Sequence, residues 1–241
     1  MIEGKMNENR WLSLGRQPFT AVAANFHNSS MQTESAPVKD FHCRGYLPHI
    51  EYKLLQSITF RLYDSVPKKI IEQWKQSLND LQGTMDMVAL REVARLQKLI
   101  NQYEDAGYGQ CFLGDERIAS LVEKTLCFYE GKHYKLVRWC IMPNHVHVLI
   151  EVMEGITLST IVQEWKSYTA HQANKILKRK GKFWMHEYFD RYIRDERHFN
   201  NVVNYIDNNP VKAGLVRNPE DWRWCSVRSK ITACEDAGRA Q

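Results

Sequence analysis

The sequence lacks most of the features that assign a protein to a class at once. Its six cysteines (Cys43, Cys111, Cys127, Cys140, Cys225 and Cys234) include no Cys-x-x-Cys pair and no zinc-type spacing. That argues against a zinc ribbon or a disulfide scaffold and leaves reduced thiols in a cytoplasmic protein as the expectation. No apolar run reaches membrane-spanning length, and the first residues hold no apolar stretch of the signal-peptide kind. No Gly-rich phosphate loop followed by Lys-Ser/Thr occurs, so nothing points to a nucleotide-driven motor. Internal repeats and low-complexity tracts are missing too. What is present is a chain of 241 residues, 44% apolar, long enough to bury one sizeable core. A net charge of +5 permits nucleic-acid binding without requiring it.

Residues 1–42 are polar and aperiodic and read as a flexible leader. A first strand is expected near Gln56–Leu62. Ile70, Ile71, Trp74 and Leu78 recur at helical spacing over Lys68–Leu81, and Val88, Leu90, Val93, Leu96 and Leu99 do so over Met85–Tyr103. Arg117–Tyr129 reads as a helix leading into a strand over Tyr134–Cys140. Ile156–Leu177 reads as a long helix with Trp165 and Tyr168 on or near its inner side. Strands interleaved with helices, with two strands joined through Pro143-Asn144, predict an antiparallel sheet backed by helices, an α+β layout.

The stretch that carries chemistry is Met142-Pro143-Asn144-His145-Val146-His147-Val148-Leu149-Ile150. Alternation from His145 onward marks a strand, on which His145 and His147 leave one face and Val146 and Val148 the other. Two neutral imidazoles on a rigid strand begin a divalent-metal site; two surface histidines beside a core strand are the plainer reading. Further on, Phe199, Val202, Val203 and Ile206 recur at helical spacing, Asp195 suits the helix start, and Pro210 and Gly214 mark its end. Tyr205 and Asn209, four apart, share a face, with Asn209 in the frayed last turn before Pro210. A tyrosine and an amide presented near two histidines suit phosphoryl transfer. A packing tyrosine with a capping asparagine is the alternative. Lys175, Lys178, Arg179, Lys180 and Lys182 form a local basic cluster, equally a surface for a phosphate backbone or a solvated helix end.

Taken together, Met-Pro-Asn before His-Val-His, then Asp190-Arg191-Tyr192-Ile193-Arg194-Asp195, then Asn204-Tyr205-Ile206-Asp207-Asn208-Asn209-Pro210-Val211-Lys212-Ala213-Gly214-Leu215-Val216, resemble the single-tyrosine HUH transposases. More narrowly they resemble the REP-associated tyrosine transposases. Ser57–Pro67 and Asp221–Ser226 extend the likeness, which covers roughly residues 45–228. The resemblance implies a ferredoxin-like antiparallel sheet backed by helices. It places a transposase or nuclease domain over residues 43–230, with a helical insertion near 68–110 and a tail over 231–241.

It also implies an enzyme that nicks and joins single-stranded DNA at hairpin-forming palindromic repeats. Tyr205 would be the nucleophile of a 5′-phosphotyrosine intermediate. His145, His147 and Asn209 would hold a divalent metal, and mixed nitrogen and oxygen ligation suits Mg²⁺ or Mn²⁺. Arg61, Lys175, Lys178, Arg179, Lys180, Arg191, Arg194 and Lys212 are the candidate DNA contacts. Trp222 and Trp224 suit packing more than base stacking. Monomer and homodimer both remain open. Two rival readings are a catalytically silent, sequence-specific DNA-binding regulator and a metal-dependent phosphoesterase or RNase that uses water on the same histidines.

Overall fold

The computed structural model describes residues 41–44, 47–50, 55–83 and 87–228. They contain strands β1 (Phe41–Arg44), β2 (Leu47–Ile50), β3 (Leu55–Arg61), β4 (Tyr134–Ile141), β5 (His145–Val152) and β6 (Phe189–Tyr192). The helices are α1 (Lys68–Gly83), α2 (Met87–Asp105), α3 (Glu116–Phe128), α4 (Leu158–Ile176) and α5 (Glu196–Lys212). Residues 1–40 of the expected leader and the tail over 231–241 lie outside the described residues. Phe41–Arg44, which straddles the end of the stretch read as aperiodic, is instead the first arm of a hairpin, with Phe41 opposite Ile50 and Arg44 opposite Leu47.

The main sheet has the order β4-β5-β3-β6 and is antiparallel throughout. Strand, helices, two strands, helix, strand in that spatial order is the ferredoxin-like layout, in agreement with the α+β expectation. The Pro143-Asn144 turn closes the β4–β5 hairpin, with the Met142 amide donating to the His145 carbonyl at 2.9 Å. β5 lies in the interior of the sheet and is covered on both faces, so His145 through Ile150 are all buried.

One face carries Ile58, Phe60, Leu62, Val146, Val148 and Ile150 against α3 and α4. Trp165 fills the centre of this layer, its indole N–H donating to the Tyr134 hydroxyl at 3.0 Å while that hydroxyl donates to the Leu126 carbonyl at 2.6 Å. Thr169 and Ala173, four and eight residues beyond Trp165, continue its inward row. Tyr168, expected on that side, is exposed. Trp224 joins the same core, and Trp222 donates from its indole to the Ile141 carbonyl at 3.0 Å, so both serve packing, as expected.

The opposite face places Cys140, Met142 and Leu149 under Ile206, with Phe199, Val202 and Val203 of α5 around it. Asp195 caps α5 by accepting from the His198 amide at 2.6 Å. Pro210, read in the sequence as a terminator, lies inside this helix. A proline there forfeits its own N–H bond and crowds the carbonyl one turn back, a cost the helix bears close to its end. The helix then closes two residues later: Gly214 (φ +71°) adopts the left-handed conformation, its amide donating to the Val211 carbonyl and that of Leu215 to the Pro210 carbonyl, both at 2.9 Å. Asn209 therefore sits in an ordered turn and is buried, not frayed.

The region read as an insertion forms α1 and α2. Ile71 and Trp74 of α1 pack with Val66, Leu96 and Ile100 in a small core of their own, which meets Phe189 of β6.

The last turn of α4 ends with the same hydrogen-bond pattern as α5, but Lys178 (φ +49°) occupies the left-handed position that favours glycine. Replacing Lys178 by Gly is expected to raise the unfolding free energy by roughly 1 kcal/mol, and Lys178→Ala to leave it nearly unchanged. Urea denaturation of the two variants checks this. A Gly variant no more stable than the Ala variant would remove strain at Lys178 as the cause.

Candidate active site

β5 delivers His145 and His147 to the face of the sheet covered by α5, where they are 0% and 4% exposed. This excludes a pair of surface histidines. Their Nε2 atoms face one another at 3.0 Å. Each outer nitrogen has a partner: Asn144 Oδ1 lies 2.7 Å from His145 Nδ1, and Thr59 Oγ1 2.8 Å from His147 Nδ1. Thr59 stands opposite His147 on β3, so the pairing register itself supplies that contact. The carboxamide oxygen of Asn144 can only accept, which places the His145 proton on Nδ1 and leaves its Nε2 lone pair directed at its neighbour. The Asn144 amide group is itself held by the Tyr108 carbonyl at 3.0 Å.

α5 brings the other two groups. The Tyr205 ring centre lies 5.2 Å from that of His147, edge to face, and the phenol is partly exposed. One turn later Asn209, 1% exposed, places its Nδ2 3.2 Å from His147 Nε2, while its Oδ1 is buried without a hydrogen-bond partner. Two convergent imidazoles beside an orphaned amide oxygen are a donor set that a divalent cation would satisfy. Among the described residues no three His, Cys, Asp or Glu side chains gather at one point. A cation held by the two histidines would need an oxygen ligand of another kind, and the unpartnered Asn209 Oδ1 lies beside them.

The electrostatics favour neutral rings. Burial, then the charge of its neighbour His147 and of Arg61 and Lys212, holds His145 well below the ordinary imidazole range. Burial, then Arg61 and Lys212, pushes His147 down to about 3. Tyr205 moves the other way, up to about 12, through burial and then the carboxylates of Asp105 and Glu104, against a hydrogen bond from Asn209 that lowers it.

Those carboxylates were not anticipated. They come from the last turn of α2, with no pattern in the sequence to connect them to residues more than forty positions away. Glu104 pairs with Arg61 at 2.8 Å, both almost wholly buried, and the Arg61 guanidinium also lies 4.8 Å from the Phe189 ring centre. Burial works against charge on both partners and their mutual attraction works for it. Asp105 holds the Lys212 ammonium at 2.8 Å, and that ammonium lies 5.5 Å from the Tyr205 ring centre. Asn144 and Thr59 were missed as well, although Asn144 directly precedes the histidine strand.

Four of the candidate residues thus meet at one place: His145, His147, Tyr205 and Asn209. Lys212 joins them. Arg61, a candidate DNA contact on the first strand, lies beside them, buried in its ion pair with Glu104. The basic cluster stands at the far end of α4. Lys175, Lys178 and Lys180 are exposed there, while Arg179 is half-buried, its guanidinium 4.7 Å from the Phe112 ring centre. Arg191 and Arg194 are exposed on and just after β6.

A family model described as IS200-like transposase matches residues 111–209, the span from the start of the turn before α3 to Asn209. A REP-associated tyrosine transposase of Escherichia coli K12 is 29% identical over 99 residues, 41% of this chain and 57% of its own length. A Haemophilus influenzae protein provisionally given the same name is 26% identical over 114 residues, 42% of this chain and 65% of its own. Over this span the chain is similar to the IS200-like and REP-associated tyrosine transposases. It spans less than two thirds of the length of either relative. A solved REP-associated tyrosine transposase, bound to a REP hairpin, aligns over 80% of this chain and 85% of its own at 16% identity, with a TM-score of 0.47.

Two histidines that stay neutral when folded and accept protons when unfolded couple stability to pH. The unfolded chain binds more protons between the ordinary imidazole pKa near 6.5 and the folded value of about 3 for His147. Stability is therefore complete above that window and declines as pH falls through it, by up to about 1.4 kcal/mol per pH unit for each histidine. Urea unfolding between pH 7.5 and about 4.5 should show this slope. The slope should shrink in His147→Gln whatever that variant's absolute stability; an unchanged slope would assign the acid loss to other groups.

Proposed function

We propose that the chain cuts and rejoins single-stranded DNA at the foot of palindromic hairpins, with Tyr205 as nucleophile and His145, His147 and Asn209 holding a divalent cation. The observation that carries the reading is the meeting of two buried, neutral imidazoles with Tyr205 and Asn209, one helical turn apart, on the helix that covers them. A water-using phosphoesterase would have no need of the tyrosine, and a silent DNA-binding protein no need of a buried, charge-free imidazole pair.

The cation, Mg²⁺ or Mn²⁺, would polarise the scissile phosphate and offset the charge that repels an incoming nucleophile. The protein's own groups do the rest. Asn144 fixes the His145 ring and its tautomer from behind and Thr59 orients the His147 ring, as partners of ligating histidines commonly do. The Tyr205 phenol loses its proton and its oxygen attacks phosphorus. The bond from phosphorus to the 3′ oxygen breaks, and that oxygen takes up a proton as the leaving hydroxyl. The 5′ phosphate stays on Tyr205, and a second 3′ hydroxyl can reverse the step and join strands without ATP. In the resting site burial, then Asp105 and Glu104, keep the phenol protonated, whereas the Asn209 hydrogen bond works towards the phenolate.

The test is a covalent adduct that survives denaturant, formed on a hairpin-bearing single strand in the presence of Mn²⁺ or Mg²⁺. Tyr205→Phe keeps the ring packing and should reduce the adduct by at least about a thousandfold while changing DNA affinity little. His145→Ala and His147→Ala should remove it as well, and Asn209→Ala should retain part of it, since water can replace an amide oxygen. The same sequence as perfect duplex should not be cut. Cleavage by the Phe variant, or full activity in EDTA, would overturn the proposal. Cutting confined to RNA would favour the phosphoesterase.

A further inference from the structure

Large apolar rings are usually covered, yet besides Tyr168 on the outer side of α4, Tyr63 at 36% and Tyr108 at 45% stand exposed outside the catalytic cluster, on two loop segments that are tied to each other. Tyr63 follows β3, its amide bonded to the Phe183 carbonyl at 2.9 Å. Tyr108 sits in the loop after α2, its ring 5.3 Å from that of Tyr103 and its carbonyl accepting from Asn144. The two segments are tied together. Asp64, next to Tyr63, accepts from the Gln110 amide at 3.0 Å. Gly109, next to Tyr108, has φ +96°, and a side-chain carbon there would stand 2.6 Å from the Asp64 carbonyl oxygen. Only glycine allows this approach, so the loop is seated on the Tyr63–Asp64 turn rather than draped over it.

The position of this pair matters. The loop that carries Tyr108 runs from Asp105, which holds Lys212 over Tyr205, to the contact with Asn144 behind His145. On the other side, the Lys182 ammonium lies 5.2 Å from the Tyr63 ring centre, and Arg179 lies against Phe112 and Phe183. Exposed rings alternating with cations on a fixed surface are the arrangement that binds unpaired bases by stacking while cations track the backbone. A duplex keeps its bases in its own stack and offers such rings nothing.

We infer that Tyr63 and Tyr108 form a base-stacking platform for the single strand on its way into or out of the catalytic site, with Lys182 as its backbone cation. The inference rests on the proposed action on single-stranded DNA, but it concerns binding and is separable from cleavage.

The experiment is titration of a labelled single-stranded oligonucleotide by fluorescence anisotropy in the Tyr205→Phe background, where no cutting intervenes. Tyr63→Ala and Tyr108→Ala are each expected to weaken binding about five- to tenfold, and Tyr63→Phe and Tyr108→Phe to retain it, since phenylalanine keeps the ring. The dependence of affinity on salt should not change in these variants, whereas Lys182→Ala should reduce its slope by about 0.7. An oligonucleotide of abasic sites should bind the parent and the Ala variants alike. Wild-type affinity in the double Ala variant, or an equal loss on the abasic strand, overturns the inference. If the chain forms its Tyr205 adduct while the double Ala variant binds normally, this inference alone falls. If tyrosine-dependent binding is found and no adduct forms, the inference stands and the cleavage proposal falls.

Discussion

The site depends on keeping two imidazoles uncharged inside a sheet. β5 is covered on both faces, and an imidazolium there would face burial, a neighbouring ring and the charges of Arg61 and Lys212. Neutrality leaves each ring with one N–H to place and one lone pair to direct. Asn144 and Thr59 take the outer positions, so the inner nitrogens converge. Both partners are consequences of the fold: Asn144 belongs to the turn that makes the β4–β5 hairpin, and Thr59 is set opposite His147 by the β3–β5 register. A slip of that register by one residue would turn Thr59 to the other face and break the arrangement.

Around this uncharged centre the charges come in pairs. Arg61 with Glu104 and Lys212 with Asp105 bring two cations and two carboxylates to the rim, both carboxylates from the end of α2. The pairs differ in kind. The first is sealed beneath the surface and ranks as architecture. The second has an exposed lysine that can exchange Asp105 for another anion at small cost, as surface ion pairs generally do. The site thus combines a fixed charge, which shapes the field, with a movable one near Tyr205.

Much of this was legible in the sequence because short-range spacing carried it. Period two placed the histidines on one side of a strand, period four placed Tyr205 and Asn209 on one side of a helix, and Asp195 marked the helix start. The family motifs added the ferredoxin-like order, which apolar periodicity cannot supply. What escaped was tertiary. Burial of Arg61 against Glu104 joins residues from β3 and α2 that no local pattern links. Pro210 read as a stop because a proline disfavours a helical residue before it, whereas the packed turn around Asn209 overrides that preference. Tyr168 and Trp165 both suit an inner face by spacing, and only the seating of α4 on the sheet chose between them. The same blindness hid Thr59, whose role exists only once β3 and β5 are paired.

The small core between α1 and α2 has a mechanical side. Leu96 and Ile100 fix the rotation of α2 about its axis, and Glu104 and Asp105 are read out at its end like the bit of a key. Each residue of a helix advances the rotation by about 100°. One residue added to or removed from α2 beyond Ile100 would leave the hydrophobic grip intact while turning both carboxylates away from Arg61 and Lys212. Such a change would strand a buried guanidinium and release a surface lysine in one stroke. The segment between β3 and α3 can thus vary freely in its outer turns, but its angular phase at the site is constrained as tightly as that of any residue on the sheet.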